Sequence, residues 1–140
     1  MKIEQAMHKG AEWVAPDTPI KQIARIMKDK DIGAVPVGEN ERLVGIVTDR
    51  DLALRTLADG ARDPATLTAN DVMTKGVIHC RADQSVEDAI RLMEAKKVRR
   101  LPVIDQKRHL VGMLSLGDVS HHASREISGK LISAVAMPHD

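Results

Sequence analysis

Apolar residues recur along this chain at two spacings, and each spacing appears twice. Ile20, Ile23, Ala24 and Met27 stand at i, i+3, i+4 and i+7, and Val86, Ala89, Ile90 and Met93 repeat the series, which predicts a helix with one apolar face in each half. Thr18 with Pro19 near the first helical position, and Ser85 with Asp88 three residues on, mark the two helix starts. Short runs rich in branched side chains follow and predict strands: AVPV (34–37) and RLPVI (100–104), then LVGIVT (43–48) and LVGMLS (110–115). The segments GENERL and IDQKRHL read as hairpin turns between them. The proline in each first run predicts a strand start or sheet edge, not a central ladder position. Each second run leads into a helical segment, DRDLALRTLADG, stopped by Gly60, and GDVSHHASREISGKLISAVA, broken at Gly129. With a short strand opening each copy, at roughly 11–14 and 77–80, each half reads strand, helix, strand, strand, helix.

The two halves are an internal repeat. Without gaps Asp17 falls on Asp83, Arg25 on Arg91, Met27 on Met93 and Pro36 on Pro102; one extra residue in the second copy then sets Leu43 on Leu110, Gly45 on Gly112 and Asp51 on Asp118. The short segments IEQAM and ANDVM, ahead of each copy, also align. The expected organisation is repeat 1 over 1–62 with its N-terminal segment, a linker at 63–70, repeat 2 over 71–128, and a C-terminal helix end and tail at 129–140. Two copies predict two half-units that pack on each other, because a unit of about 60 residues alone is marginal.

Composition narrows the function classes. The 43% of hydrophobic residues suffice for a core, but with no Phe, no Tyr and only Trp13 that core is aliphatic. A net charge of +1 and the near absence of stacking rings argue against nucleic acid as a partner. Apolar runs fall far short of the roughly 20 residues that cross a bilayer, and the N-terminal stretch lacks a signal-peptide core, so a soluble, cytoplasmic protein without a membrane partner is expected. The single Cys80 fits a reducing compartment.

The combination of DIGAVPV, VRRLPVI and GIVTDRDL, each weak alone, resembles the CBS domain (the cystathionine-beta-synthase regulatory domain), here as a tandem pair similar to stand-alone bacterial pairs of the hypoxic-response-protein type. The resemblance covers nearly the whole chain. It implies an α/β (α+β) fold of two β-α-β-β-α repeats packed with pseudo-twofold symmetry (a Bateman module), with clefts that hold adenosine-containing ligands, and a homodimer. It also places an adenine against the strand that opens each copy and the strand start after the first helix: Val14 with Ala34 and Val35, and Ile78 with Val98.

The matching residues suit such a ligand. In Thr48–Asp51 and Ser115–Asp118 a hydroxyl and a carboxylate stand three apart where a strand turns into a helix, so both aim at one point. The carboxylate can accept both ribose hydroxyls, and the hydroxyl suits a phosphate oxygen. The same S/T-x-x-D spacing is also a helix N-cap, and the two roles are compatible. Arg99 and Arg100 are natural two-point partners for a phosphate, whereas their counterparts Gly33 and Ala34 carry no charge, so unequal sites are expected. The histidines are scattered, His121 and His122 point apart on a helix, and no metal is expected. Cys80 reads as a buried apolar residue, and no catalytic constellation is present. The function read here is a non-catalytic regulatory sensor of an adenine nucleotide (AMP, ADP or ATP) or another adenosyl ligand, signalling to an effector protein. The alternatives are a ligand-free dimeric interaction scaffold, and a metal or redox sensor built on Cys80 and the histidines.

Overall fold

The computed structural model describes residues 1–10, 12–58, 60 and 62–122. Helix α1 (Ile3–Ala6) and strand β1 (His8–Lys9) precede helix α2 (Ile20–Lys30), strands β2 (Ala34–Glu39) and β3 (Arg42–Thr48) and helix α3 (Asp49–Leu52), which runs on as a π-helical turn over Ala53–Ala58. A 3-10 turn (Pro64–Thr66) then leads to α4 (Ala69–Val72), β4 (Cys80–Arg81), α5 (Val86–Lys96), β5 (Arg100–Ile104), β6 (Leu110–Ser115) and α6 (Leu116–His122). The rest of the expected last helix, with Ile127 and Gly129, lies outside the described residues.

These elements sort into two compact units, and the sorting does not follow the order of the chain. One unit is Glu12–Val77; the other joins Met1–Ala11 to Ile78–Asp140. The segment ahead of the first repeat is thus built into the second unit, and the aligned segment ahead of the second repeat is built into the first. The linker between the repeats is partly structured, since α4 begins within it.

In the first unit α2 buries Ile20, Ile23 and Met27, while Ala24 of the predicted apolar face is exposed. The helix starts one residue later than Thr18 and Pro19 suggested: Pro19 is the N-cap, and no side chain caps the helix. Backbone takes over that role, because the Ile20 N–H donates to the Leu67 carbonyl (3.1 Å) and the Thr18 carbonyl accepts from the Ala69 N–H (2.8 Å). Strands β2 and β3 form an antiparallel hairpin through Asn40 and Glu41, both at positive φ (53° and 67°), as a tight two-residue hairpin turn requires. Single bridges extend it on both sides, Val14 to Val37 in parallel and Ile46 to Thr74 antiparallel. Val14, Ile23, Val35, Val37, Val47, Ala69, Val72 and Met73 are among the side chains that fill its core.

The second unit repeats this plan with two-residue strands in place of the flanking bridges, in the order β1-β6-β5-β4. Strands β5 and β6 are antiparallel with Arg100 opposite Ser115, β4 runs parallel to β5, and β1 pairs antiparallel with β6, His8 facing Met113. Ser85 and Asp88 form the predicted capping box of α5, whose Val86, Ala89, Ile90 and Met93 are all buried. Ile3 and Ala6 of α1 lie in the same core as Leu101, Val103, Leu114 and Val119.

Pro36 and Pro102 sit mid-strand, not at a strand start: Pro36 pairs with Ile46 on the edge strand β2, as one expectation had it, and Pro102 pairs with Met113 on the inner strand β5. A residue's N–H and C=O leave the strand on one side. The Val14 N–H donates to the Pro36 carbonyl (3.0 Å), so the missing N–H falls on the parallel side. That side carries only the single bridge at Val14, and in the second unit only two-residue β4, so no longer ladder is interrupted.

Candidate functional site

The chain turns from strand to helix at Thr48–Asp51 and at Ser115–Asp118, and in both places the hydroxyl and carboxylate bond reciprocally to backbone. The Thr48 Oγ1 accepts from the Asp51 N–H (3.0 Å) while Asp51 Oδ2 accepts from the Thr48 N–H (2.9 Å). In the second unit the Ser115 Oγ accepts from the Asp118 N–H (3.1 Å) and Asp118 Oδ2 from the Ser115 N–H (2.9 Å). The N-cap geometry foreseen as one reading of the spacing is therefore present in both copies. It leaves chemistry over, because each hydroxyl still has its own proton to donate and a carboxylate offers about four acceptor positions.

The strand start is tied to the same turn. The Asp49 N–H donates to the Gly33 carbonyl (2.9 Å), and the Leu116 N–H to the Arg99 carbonyl (2.8 Å), which fixes residues 33–34 and 99–100 beside the hydroxyls. Arg100 lies directly opposite Ser115 across the β5–β6 ladder, and Ala34 opposite Thr48. Cross-strand partners share a sheet face. Arg100 thus shares a sheet face with Ser115, Arg99 is tied to the turn through its carbonyl, and both arginines are exposed. In the first unit Gly33 leaves room for Asp49, whose Oδ2 would lie 3.1 Å from an added Cβ.

Asp51 has two partners that the sequence reading missed. The Thr74 hydroxyl donates to Asp51 Oδ1 (3.3 Å), and the Arg55 Nε lies 3.6 Å from the same oxygen. Arg55 was within reach of a helical i, i+4 reading; Thr74 arrives from a segment 23 residues away, which no local pattern signals.

The expected adenine walls are of two kinds. Val14 and Val35 are buried in the first unit's core, so they would meet a ligand through backbone. Ala34 is half-buried, as are Ile78 and Val98, which pack partly against the second core. Trp13 covers the backbone of Gly38, where an added Cβ would come within 2.7 Å of its ring, and remains 39% exposed. Cys80 is buried with its Sγ towards the Pro102 carbonyl, and burial pushes the thiol up to about 12, far from the thiolate that redox or metal chemistry uses. Among the described residues no three His, Cys, Asp or Glu side chains group as metal ligands. Open grooves of about 530 and 540 Å³ lie against Val44 and Met73 in one unit and Val111 and Met7 in the other, and the aspartate turns line neither.

Two units of one mixed α/β plan, each with a hydroxyl–aspartate turn after its hairpin, define a tandem-repeat fold. The CBS domain model matches residues 3–56 and 69–125, and the chain belongs to the CBS domain family as a tandem pair. It is similar to the CBS domain-containing protein YhcV of Bacillus subtilis (strain 168), 37% identical over 96% of this chain and 94% of that protein. Among solved structures it is similar to hypoxic response protein I with two coordinated zinc ions (TM-score 0.79, 33% identity, 89% of this chain and 100% of that one). It is also similar to CBSX2 of Arabidopsis thaliana in complex with AMP (TM-score 0.74, 29% identity, 86% and 93% covered). A fourth likeness is the CBS pair of MJ0100 with 5-methylthioadenosine and S-adenosyl-L-methionine (TM-score 0.75, 26% identity, 93% and 98% covered).

Proposed function

We propose that this CBS pair is a non-catalytic cytoplasmic sensor of an adenine nucleotide or related adenosyl ligand, held at the hydroxyl–aspartate turns. The observation that carries this reading is the reciprocal hydroxyl–aspartate turn at Ser115–Asp118, with Arg100 across the ladder from Ser115. Asp118 Oδ1 takes no hydrogen bond among the described residues and is the oxygen assigned to the ribose hydroxyls; the arginines would supply a planar fork for phosphate. The adenosine ligands bound by CBSX2 and MJ0100 support the ligand class. A ligand shifts the protein only by its difference in affinity for two arrangements, so the signal to an effector is a change in their populations.

We further propose a homodimer, with Leu54 (44% exposed) and Leu57 (79% exposed) on the π-helical turn as the surface that a second copy covers. Leu52, by contrast, packs against the first core, and Val119 is fully buried in its own unit. Sedimentation of the wild type against Leu57→Glu tests this: a dimer that the substitution turns monomeric is expected, and a wild-type monomer at high micromolar concentration refutes it.

The ligand reading is tested by thermal shift and calorimetry with AMP, ATP, S-adenosylmethionine and 2′-deoxy-AMP. Asp118→Asn keeps a capping oxygen but weakens a charge-assisted bond, and should cost roughly 1–3 kcal/mol of binding with little change in melting. Equal affinity for ribo and deoxy ligands, or an Asn variant that melts early yet binds normally, would leave these aspartates as helix caps alone and favour the scaffold.

A further inference from the structure

We propose that Arg55 and Thr74 hold the Asp51 turn closed, so that the resting chain takes one adenosine ligand, at Asp118, and that a second ligand enters at Asp51 only by displacing Arg55 and loosening the segment that follows Ala69. The inference rests on the ligand reading above and deepens it.

Both oxygens of Asp51 are committed: Oδ2 to the Thr48 N–H at 2.9 Å, Oδ1 to the Thr74 hydroxyl at 3.3 Å with the Arg55 Nε 3.6 Å away. The Asp51 side chain is only 12% exposed, so a ribose reaching Oδ1 competes with Thr74 and Arg55 for room there. Arg55 is the one that can leave, since its side chain is 47% exposed and an ion pair this open to water is weak. The aligned positions of the second unit carry neither an arginine nor a threonine. Counting 67 positions from Arg55 reaches His122, and 66 back from Thr74 reaches His8. Asp118 bonds through Oδ2 alone among the described residues.

Arg55 also holds something else. Its Nη1 donates to the Met73 carbonyl (3.3 Å), at the C-terminal end of α4, so one arginine ties both the aspartate and the segment Ala69–Val72. An arginine that swings out for a ligand leaves that carbonyl as well. Ligand entry at Asp51 and the grip on the segment are therefore competing uses of one side chain, and by linkage each weakens the other equally.

Titration calorimetry with AMP provides the test. The wild type should take one AMP per chain tightly, with loss of that site in Asp118→Asn. Arg55→Gln should strengthen the second site about two- to fivefold, the size expected of an exposed ion pair. In the Asp118→Asn protein, saturating AMP should speed amide hydrogen exchange over 69–74, and Arg55→Gln should show that faster exchange without ligand. Second-site affinity that is unchanged or lowered in Arg55→Gln overturns the inference, a lowered one making Arg55 a phosphate partner. Two equal wild-type sites sink it while leaving the ligand reading intact, whereas a wild type that binds neither AMP nor any other adenosine ligand defeats both.

Discussion

At the scale of single residues, two glycines decide how closely the leading segments can approach the sheets. A Cβ on Gly112 would lie 2.6 Å from the His8 carbonyl oxygen, and one on the aligned Gly45 would lie 2.5 Å from Met73 Sδ and 3.1 Å from the Thr74 carbonyl. The first obstacle is backbone and the second largely a flexible side-chain end, so the two positions differ in tolerance. Gly112→Ala is expected to cost about 1–3 kcal/mol, as overpacking of a close contact does, and Gly45→Ala less. Urea unfolding of the two variants checks the order; equal, negligible losses would mean that the segments yield easily.

Helices supply the next level, and their ends show where local chemistry and packing disagree. Helix α2 stops at Asp31 in the left-handed region (φ 53°), as α5 stops at Lys97 (φ 54°). Asp31 meets two costs there, a Cβ at positive φ and an anion at the negative end of the helix dipole. Asp31→Gly removes both and should raise stability by about 1 kcal/mol. A drop in the urea midpoint would show that Asp31 has a role the helix end does not reveal. Three carboxyls in the caps and turns sit below their usual range. Asp71 is held down chiefly by the Thr68 N–H, Asp88 by Arg91, and Asp105 by the His109 N–H. A depressed folded value means the unfolded chain takes up protons first as pH falls, so the stabilisation present above about pH 4 disappears as pH drops through the folded values. Urea midpoints measured from pH 5 down to pH 2 should fall, and fall less in Asp105→Asn; an unchanged slope in that variant would remove Asp105 from the account.

For the whole molecule, the exchange of leading segments matters most. Ile3 is fully buried in the second unit although the chain continues from it into the first repeat. Ile3→Ala should therefore cost about 2–5 kcal/mol, the range for a buried branched side chain cut to a methyl. Hydrogen exchange should report the loss first in β5 and β6, not in β2 and β3. Faster exchange confined to the first hairpin would contradict this partition.

The sequence by itself determined the repeat, both amphipathic helices, the four hairpin strands to within a residue or two, and the capping box at Ser85. All are local: a period of 3.6 or 2, a turn of a few residues, or a hydroxyl three positions from a carboxylate is complete within one short window. The hydroxyl–aspartate turns were legible for the same reason. Tertiary structure alone decided that residues 1–9 complete the second unit and residues 69–75 the first. Alignment pairs those segments with each other but carries no information about which sheet each one meets. It also decided that Pro36 and Pro102 stand mid-strand, because tolerance of a missing N–H depends on how short the neighbouring ladder is. Arg55 and Thr74 reach Asp51 by the same logic: a carboxylate's partners are set by which backbone segments pack around it, and Thr74 comes within hydrogen-bond range only once its segment has docked.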